Sequence, residues 1–174
     1  MSFNTERLRI QQRLATIRAT PQEQEPRLIG REVLLRVERL PTQEDVSHAW
    51  AVLGPDRKRA GSWPMVRGVR VDCEAAERGG PEAVRIQDVE VAPALADAWL
   101  NELHAIHVLI GGFEEVMGLD GTSYTLSVQK LFTSSSLSWW CEGPREWREV
   151  VAWTRRAIQT LHALTAPGEV LRDD

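Results

Sequence analysis

Two histidines three residues apart, His104 and His107, have the spacing in this sequence that most directly suggests chemistry. On a helix, side chains at this spacing share a face, where two imidazoles could supply two of the ligands of a zinc ion. Cys73 or Glu114 could complete such a site. However, no dedicated motif such as H-E-x-x-H is present, and the helix dipole alone favours histidines near a helix end. We therefore expect neither a metal nor a cofactor.

A short acidic cluster, formed by Glu114, Glu115 and Asp120, surrounds a glycine-containing turn. Paired carboxylates can perform acid–base catalysis when their surroundings separate their pKa values. Sequence alone does not show such a separation. We interpret these acids as solvated loop residues or as part of a contact surface for a partner.

Motifs of known catalytic sites are missing from the sequence. The hydroxyls of residues 133–136 are not part of a G-x-S-x-G elbow, and neither a P-loop nor a G-x-G-x-x-G loop occurs. We therefore predict no catalytic residue. The alternative of an enzyme with a site assembled from scattered residues stays open, and its candidates would be His48, His104, His107, Glu115 and Asp120.

Composition indicates one globular domain, spanning residues 1–174, with a substantial core and a net charge of −4. Residues 71–130 carry eleven acidic side chains against three basic ones, which would favour a basic partner over nucleic acid. The sequence contains no apolar run long enough to cross a membrane and no secretory leader. The two cysteines, Cys73 and Cys141, fit no metal or disulfide spacing, so we expect a cytoplasmic protein with reduced thiols.

The first half of the chain shows both helical and strand patterns. Residues 4–19 predict a basic amphipathic helix, which with its connector occupies residues 1–22. Residues 30–40 alternate as in a half-buried strand. In residues 41–55, apolar side chains recur at helical spacing after a Thr42 cap, which predicts a helix. A polar loop with a basic tip follows.

The middle of the chain predicts two strands and a helix. Residues 65–74 and 83–91 alternate and are joined by a turn-forming segment, which predicts an antiparallel pair. Pro93 then begins a helix that glycines at 111–112 would end. Its expected buried stripe contains Leu95, Ala98, Trp99, Leu103 and Ile106.

The last third is the most organised part of the sequence. Asp120-Gly121 predicts a tight turn, across which residues 114–119 and 122–129 would pair. Residues 134–141 predict a further strand. Gly143, Pro144 and Glu146 then signal the start of an amphipathic helix with a broad apolar stripe. The segment 166–174 is expected to be a flexible tail.

The residues DGTSYTL, SWW and PREW, followed by this helix, resemble a pattern in small bacterial α+β proteins of unknown function. Some of these proteins are associated with polymorphic-toxin immunity loci. The resemblance is confined to the last third of the chain and is carried by fold-forming positions. It implies a compact α+β protein that binds and neutralises a partner toxin, and it transfers no functional residue.

We therefore predict a single α+β domain with a mostly antiparallel sheet, helices packed against it, an N-terminal helix and an amphipathic helix near the C-terminus. The predicted function is a non-enzymatic protein-binding module, in its sharpest form an immunity protein. The candidates for partner binding are Glu114, Glu115, Asp120, Trp63 and Trp140, the two tryptophans because core periodicity accounts for them least. The alternatives are a structural subunit of a secretion or phage-like assembly and the enzyme described above.

Overall fold

The computed structural model describes residues 30–41, 46–72, 74–75, 83–108, 121–130, 133–169 and 171. Its strands are β1 (Val33–Pro41), β2 (Val46–Leu53), β3 (Met65–Asp72), β4 (Val84–Glu90), β5 (Thr122–Lys130) and β6 (Thr133–Trp140). Its helices are α1 (Pro93–His104) and α2 (Arg148–Thr165), the latter preceded by the 3₁₀ turn Arg145–Trp147. The strands form one antiparallel sheet in the order β4-β3-β2-β1-β5-β6. The α+β prediction is confirmed, whereas the predicted N-terminal helix lies outside the described residues.

Alternation located β1, β3, β4, β5 and β6 correctly. In β1 the side chains of Leu35 and Val37 are buried on one face, as predicted. In β5 Leu126 is buried, while the hydroxyls of Thr125 and Ser127 lie on the opposite face and pair with serines of β6. The predicted antiparallel pair of β3 and β4 is present.

The helix predicted for residues 41–55 is wrong, because residues 46–53 form β2. This strand lies inside the sheet between β1 and β3, and both of its faces are buried. A strand buried on both faces is a continuous apolar run, which periodicity cannot distinguish from a buried helix. Ala49 and Trp50, which a helix would place side by side, point to opposite faces of the sheet.

The pairing predicted across Asp120-Gly121 involves Asp120 and residues 114–119, which lie outside the described residues. In the sheet, β5 has β1 along one edge and β6, the next strand in the chain, along the other. Gly121 itself has a φ of 147°, a value that side-chain-bearing residues rarely adopt. The turn signal in the sequence thus located a residue with an unusual backbone conformation.

The helix α2 follows its prediction closely. The side chains of the expected stripe are all buried, namely Trp147, Val150, Val151, Ala157, Ile158 and Leu161. They pack with apolar residues of the sheet, including Leu35, Trp50 and Trp139, in the main core. The start differs in detail, since Pro144 precedes a 3₁₀ turn and α2 proper begins at Arg148.

The helix α1 begins at Pro93 as predicted but buries a narrower face. Its buried side chains are Ala96 and Leu103, whereas Leu95 and Ala98 of the predicted stripe are exposed. The helix ends at His104, well before the glycines expected to stop it. α1 packs against α2, and this limited contact leaves much of its surface in solvent. Neither described helix is long and apolar enough to cross a membrane.

Candidate functional site

The hairpin of β2 and β3 carries a distinctive region at each end. The connection between the two strands, residues 54–64, forms a loop at one end that we name the Trp63 loop. A cavity near His48 and Arg70 lies towards the other end, beside the C-terminus of α2, and we name it the helix-end cavity. Because a strand rises about 3.3 Å per residue, the six residues from His48 to Gly54 place the two regions about 20 Å apart.

The Trp63 loop is held by hydrogen bonds within the chain. The Asp56 carboxylate accepts from the Lys58 amide at 2.8 Å, and the Ser62 hydroxyl accepts from the Asp56 amide at 2.5 Å. The Arg31 guanidinium donates to the carbonyls of Gly54 at 3.0 Å and Trp63 at 2.7 Å, which ties both ends of the loop to the segment before β1. The loop is therefore ordered before any partner arrives.

The side chain that this loop displays is apolar and large. Trp63 is 51% exposed, the highest value among the exposed large hydrophobic residues of the described chain. The neighbouring side chains of Arg57, Lys58 and Arg59 are also exposed, and Arg57 forms an ion pair with Glu32. An exposed tryptophan beside basic side chains is a suitable anchor for a partner surface that is apolar at its centre and acidic around it.

Two rows of residues across the sheet form the floor of the helix-end cavity. The strand register aligns His48, Arg70 and Arg85 in one row and Trp50, Gly68 and Gln87 in the next. Directly paired residues point to the same face of a sheet, and this face is covered by α2. The cavity has a volume of about 390 Å³, and its lining includes the exposed Arg85 of β4, the edge strand.

The wall of the cavity is the end of α2 and the turn after it. Trp50 Nε1 donates to Thr165 Oγ1 at 3.2 Å, and Thr165 Oγ1 donates to the Leu161 carbonyl at 2.8 Å. This close approach requires Gly68, since a Cβ there would lie 2.5 Å from Thr165 Oγ1. The small residue on β3 thus lets the helix end touch the sheet and close one side of the cavity.

Three aromatic rings meet inside the cavity. The imidazole of His48 stacks on the indole of Trp50, with ring centroids 5.4 Å apart and planes 4° apart. The ring of His162 stands edge-on to both, at 5.5 Å from His48 and 6.0 Å from Trp50. His162 Nε2 donates to the Glu169 carbonyl at 3.2 Å, because a carbonyl can only accept. Within the described residues, Nδ1 of His48 and Nδ1 of His162 are buried without a hydrogen-bond partner.

Burial lowers the pKa of His48, and electrostatic interaction with His162, Arg39 and Arg70 acts in the same direction, which together bring it to about 3. His48 is therefore a neutral imidazole at ordinary pH. A neutral ring stacks on the indole without the cost of burying a charge. His48 therefore contributes to the cavity an aromatic ring and one nitrogen, Nδ1, that has no hydrogen-bond partner among the described residues.

The mouth of the cavity is cationic. Arg70 and Arg85 are directly opposite each other in the register of β3 and β4. Each lies 3.9 Å from the carboxylate of Glu169, which is beyond hydrogen-bond length. Two guanidiniums thus share one distant carboxylate at this point.

Of the residues predicted as sites, His48 lines the helix-end cavity and Trp63 lies on the Trp63 loop. His104 and His107 are exposed at and after the end of α1, and neither lines the helix-end cavity. Among the described residues, no three His, Cys, Asp or Glu side chains are placed to hold a metal ion. Trp140 is half-buried beside Gly121, whereas Glu114, Glu115 and Asp120 lie outside the described residues.

Sequence reasoning missed four of the residues that define the cavity: Arg70, Arg85, His162 and Glu169. One signal was present, since His162 and Thr165 continue the apolar stripe of α2 at core spacing. Polar residues at core positions of an amphipathic helix indicate a polar contact in the interior. The two arginines gave no such signal, because their pairing depends on the register between strands.

Comparisons of the chain with protein-family models, with curated proteins and with solved structures found no significant match. The resemblance of the last third to small bacterial proteins therefore stays a prediction.

Proposed function

We propose that this protein is a protein-binding module and that the Trp63 loop is its contact surface. The single observation that carries the proposal is the exposure of Trp63 on a loop whose backbone is already fixed by Arg31, Asp56 and Ser62. A pre-ordered loop loses little conformational entropy on association, so more of the contact energy appears as affinity. Tryptophan is also the side chain most enriched among residues that dominate binding energies.

The charge of the loop indicates which kind of partner it fits. Lys58 and Arg59 are exposed in the same loop as Trp63, so a complementary partner surface is acidic. The acidic middle segment of the sequence favours a basic partner instead, such as a basic toxin domain. That prediction depends partly on Glu114, Glu115 and Asp120, which lie outside the described residues. The finer proposal of an immunity protein rests on the resemblance in the last third.

A pull-down of the tagged protein from its own host, followed by purification of any stoichiometric partner, tests the proposal. Trp63→Ala should weaken binding of that partner at least about tenfold, since interface tryptophans commonly contribute more than about 1.4 kcal/mol. Leu95→Ala is the matched control, because Leu95 is also an exposed apolar residue but lies on α1. Lys58→Glu should slow association and reduce its dependence on salt.

Three outcomes separate the alternatives. A partner that is lost with Trp63→Ala and kept with Leu95→Ala supports the proposal, and toxicity of that partner when expressed alone supports the immunity form. A partner that both variants retain shows that the Trp63 loop is not the contact. Recovery of a stable homo-oligomer alone contradicts the proposal and favours the structural-subunit alternative.

A further inference from the structure

We propose that the helix-end cavity binds a small organic anion, whose carboxylate or phosphate group is held by Arg70 and Arg85 and whose planar body lies beside His48. This site is separate from the Trp63 loop and does not depend on the proposed function. Three parts of the cavity support it: unbalanced charge at the mouth, polar atoms inside without described partners, and an aromatic interior of suitable size.

The first part is the pair of guanidiniums. Like charges directly opposite each other on neighbouring strands are destabilising, so the pairing of Arg70 with Arg85 requires compensation. Glu169 supplies one negative charge at 3.9 Å from each, without the hydrogen bonds that guanidinium and carboxylate form at closer range. An anion between the two arginines would neutralise the remaining charge and use their planar donors.

The second part lies deeper in the cavity. The side chains of His48 and His162 are more than nine-tenths buried, and Nδ1 of each has no hydrogen-bond partner among the described residues. Buried polar atoms are rarely left unpaired, because each loses its solvation without gaining a hydrogen bond. Since the His162 proton is on Nε2, its Nδ1 is an acceptor, which a ligand hydroxyl or amide could satisfy.

The third part is shape. A volume of about 390 Å³ lies in the lower part of the range of small-molecule sites, which begins at roughly 300 Å³. The imidazole of His48, stacked on Trp50, contributes an aromatic side chain to the cavity lining, against which a planar group can pack. A ligand of this class therefore has one anionic end at the edge of the sheet and one planar end against the rings.

Glu169 has a specific part in this arrangement. Its carboxylate is about half exposed on the turn after α2, and it occupies the neighbourhood of both guanidiniums. A ligand anion would compete with it for the same charges. Removal of this negative charge should therefore tighten ligand binding, whereas removal of an arginine should weaken it.

Histidine signals in nuclear magnetic resonance spectra offer a test with an internal control. The chain has four histidines, of which His48 and His162 line the cavity while His104 and His107 are exposed elsewhere. At fixed pH, benzoate and phenyl phosphate are titrated as probes, with neutral benzamide as the control ligand. We expect the signals of His48 and His162 to shift saturably with an anion at a Kd of about 1 mM or tighter, and those of His104 and His107 to stay in place.

Variants assign the binding to the two arginines. Arg85→Gln should weaken binding about tenfold without unfolding the chain, since Arg85 is two-thirds exposed. Glu169→Gln should tighten binding several-fold. Arg156→Gln, which removes an exposed arginine from the outer face of α2, should leave the affinity unchanged.

The probes also distinguish the anionic groups. Saturation by benzoate alone identifies a carboxylate site, and saturation by phenyl phosphate alone identifies a phosphate site. No saturable shift with either anion overturns the proposal, as does equal binding of benzamide. An equal loss of affinity in Arg85→Gln and Arg156→Gln would show only a general effect of net charge and would also overturn it.

Discussion

The Trp63 loop and the helix-end cavity differ in which of their groups are hydrogen-bonded and which are buried. In the loop, backbone and side-chain polar groups bond to each other through Arg31, Asp56 and Ser62, and the apolar Trp63 is left in solvent. In the cavity, the apolar ring of Trp50 is buried and its N–H is bonded, while polar atoms of two histidines are left without described partners. Both regions belong to the same hairpin.

This difference indicates two kinds of recognition. An ordered polar frame around an exposed indole suits a large partner that covers the indole and excludes water from it. A buried indole, that of Trp50, beside histidine nitrogens without described partners suits a small ligand whose polar groups can form hydrogen bonds with these nitrogens. The two glycines that border these regions, Gly54 and Gly68, provide the sharpest comparison between them.

Gly68→Ala should have the largest effect on stability. Its new Cβ would lie 2.6 Å from the Cβ of Thr165, so the end of α2 must move away from the sheet. Overpacking of this kind costs about 3 kcal/mol at the upper end of its usual range. Gly54→Ala is the matched control, because a Cβ there makes contacts of 3.6 Å and longer.

Urea unfolding of the two variants measures this contrast. We expect Gly68→Ala to lower the free energy of unfolding by about 3 kcal/mol and Gly54→Ala to change it by less than about 0.5 kcal/mol. Equal effects of the two substitutions would mean that the contact between β3 and the end of α2 does not constrain the cavity.

Acid should destabilise the protein through His48. Because the pKa of His48 is about 3 in the folded state and 6.5 in the unfolded state, only the unfolded state takes up a proton between these values. The contribution of the neutral His48 to the free energy of unfolding is thus fully present above pH 6.5. It decreases as the pH falls, by up to about 1.4 kcal/mol per pH unit. From pH 6.5 to 5 this amounts to about 2 kcal/mol.

The contribution of His48 is isolated by comparison with His48→Phe. The free energy of unfolding of wild type relative to this variant should decrease as the pH falls from 6.5 to 5, and His104→Gln controls for the loss of an exposed imidazole. Parallel pH profiles of wild type and His48→Phe would contradict the burial of a neutral histidine between Arg39 and Arg70.

Arg31→Ala should have the smallest effect on stability and the most local one. It removes the donor to the carbonyls of Gly54 and Trp63, for which we expect a loss of about 1 kcal/mol. Amide exchange should accelerate for Arg59 and Ser62 in the loop and stay unchanged in α2. Arg148→Ala, which removes an exposed arginine, is the control, and acceleration throughout the chain would mean that Arg31 supports more than the loop.

The sequence predicts those strands in which charged or polar residues alternate with apolar ones. Alternation therefore located β1, β3 and β5, although Glu38 of β1 and Arg67 of β3 are buried, and the predicted stripe of α2 was correct. β2 was mistaken for a helix because apolar residues occupy both of its faces, which removes the alternation. The prediction failed where charge does not mark one face of a strand.

The helix-end cavity was not predictable for a related reason. Arg70 and Arg85 become neighbours only through the register of β3 with β4, and His162 reaches His48 only because α2 crosses this part of the sheet. Periodicity describes one element at a time and carries no information about register between elements. The exposure of Trp63 was easier to anticipate, since this tryptophan lies outside any apolar pattern of the sequence.

The contact between Gly68, Trp50 and Thr165 also bears on the order in which the protein folds. β2 and β3 are neighbours in sequence and can pair early, whereas Trp50 and Thr165 are 115 residues apart. Closing a loop of this length costs conformational entropy before any contact compensates for it, so we expect the end of α2 to dock late. Contacts formed after the transition state act mainly on the rate of unfolding. We therefore expect Gly68 to affect how long the native state lasts more than how fast it forms.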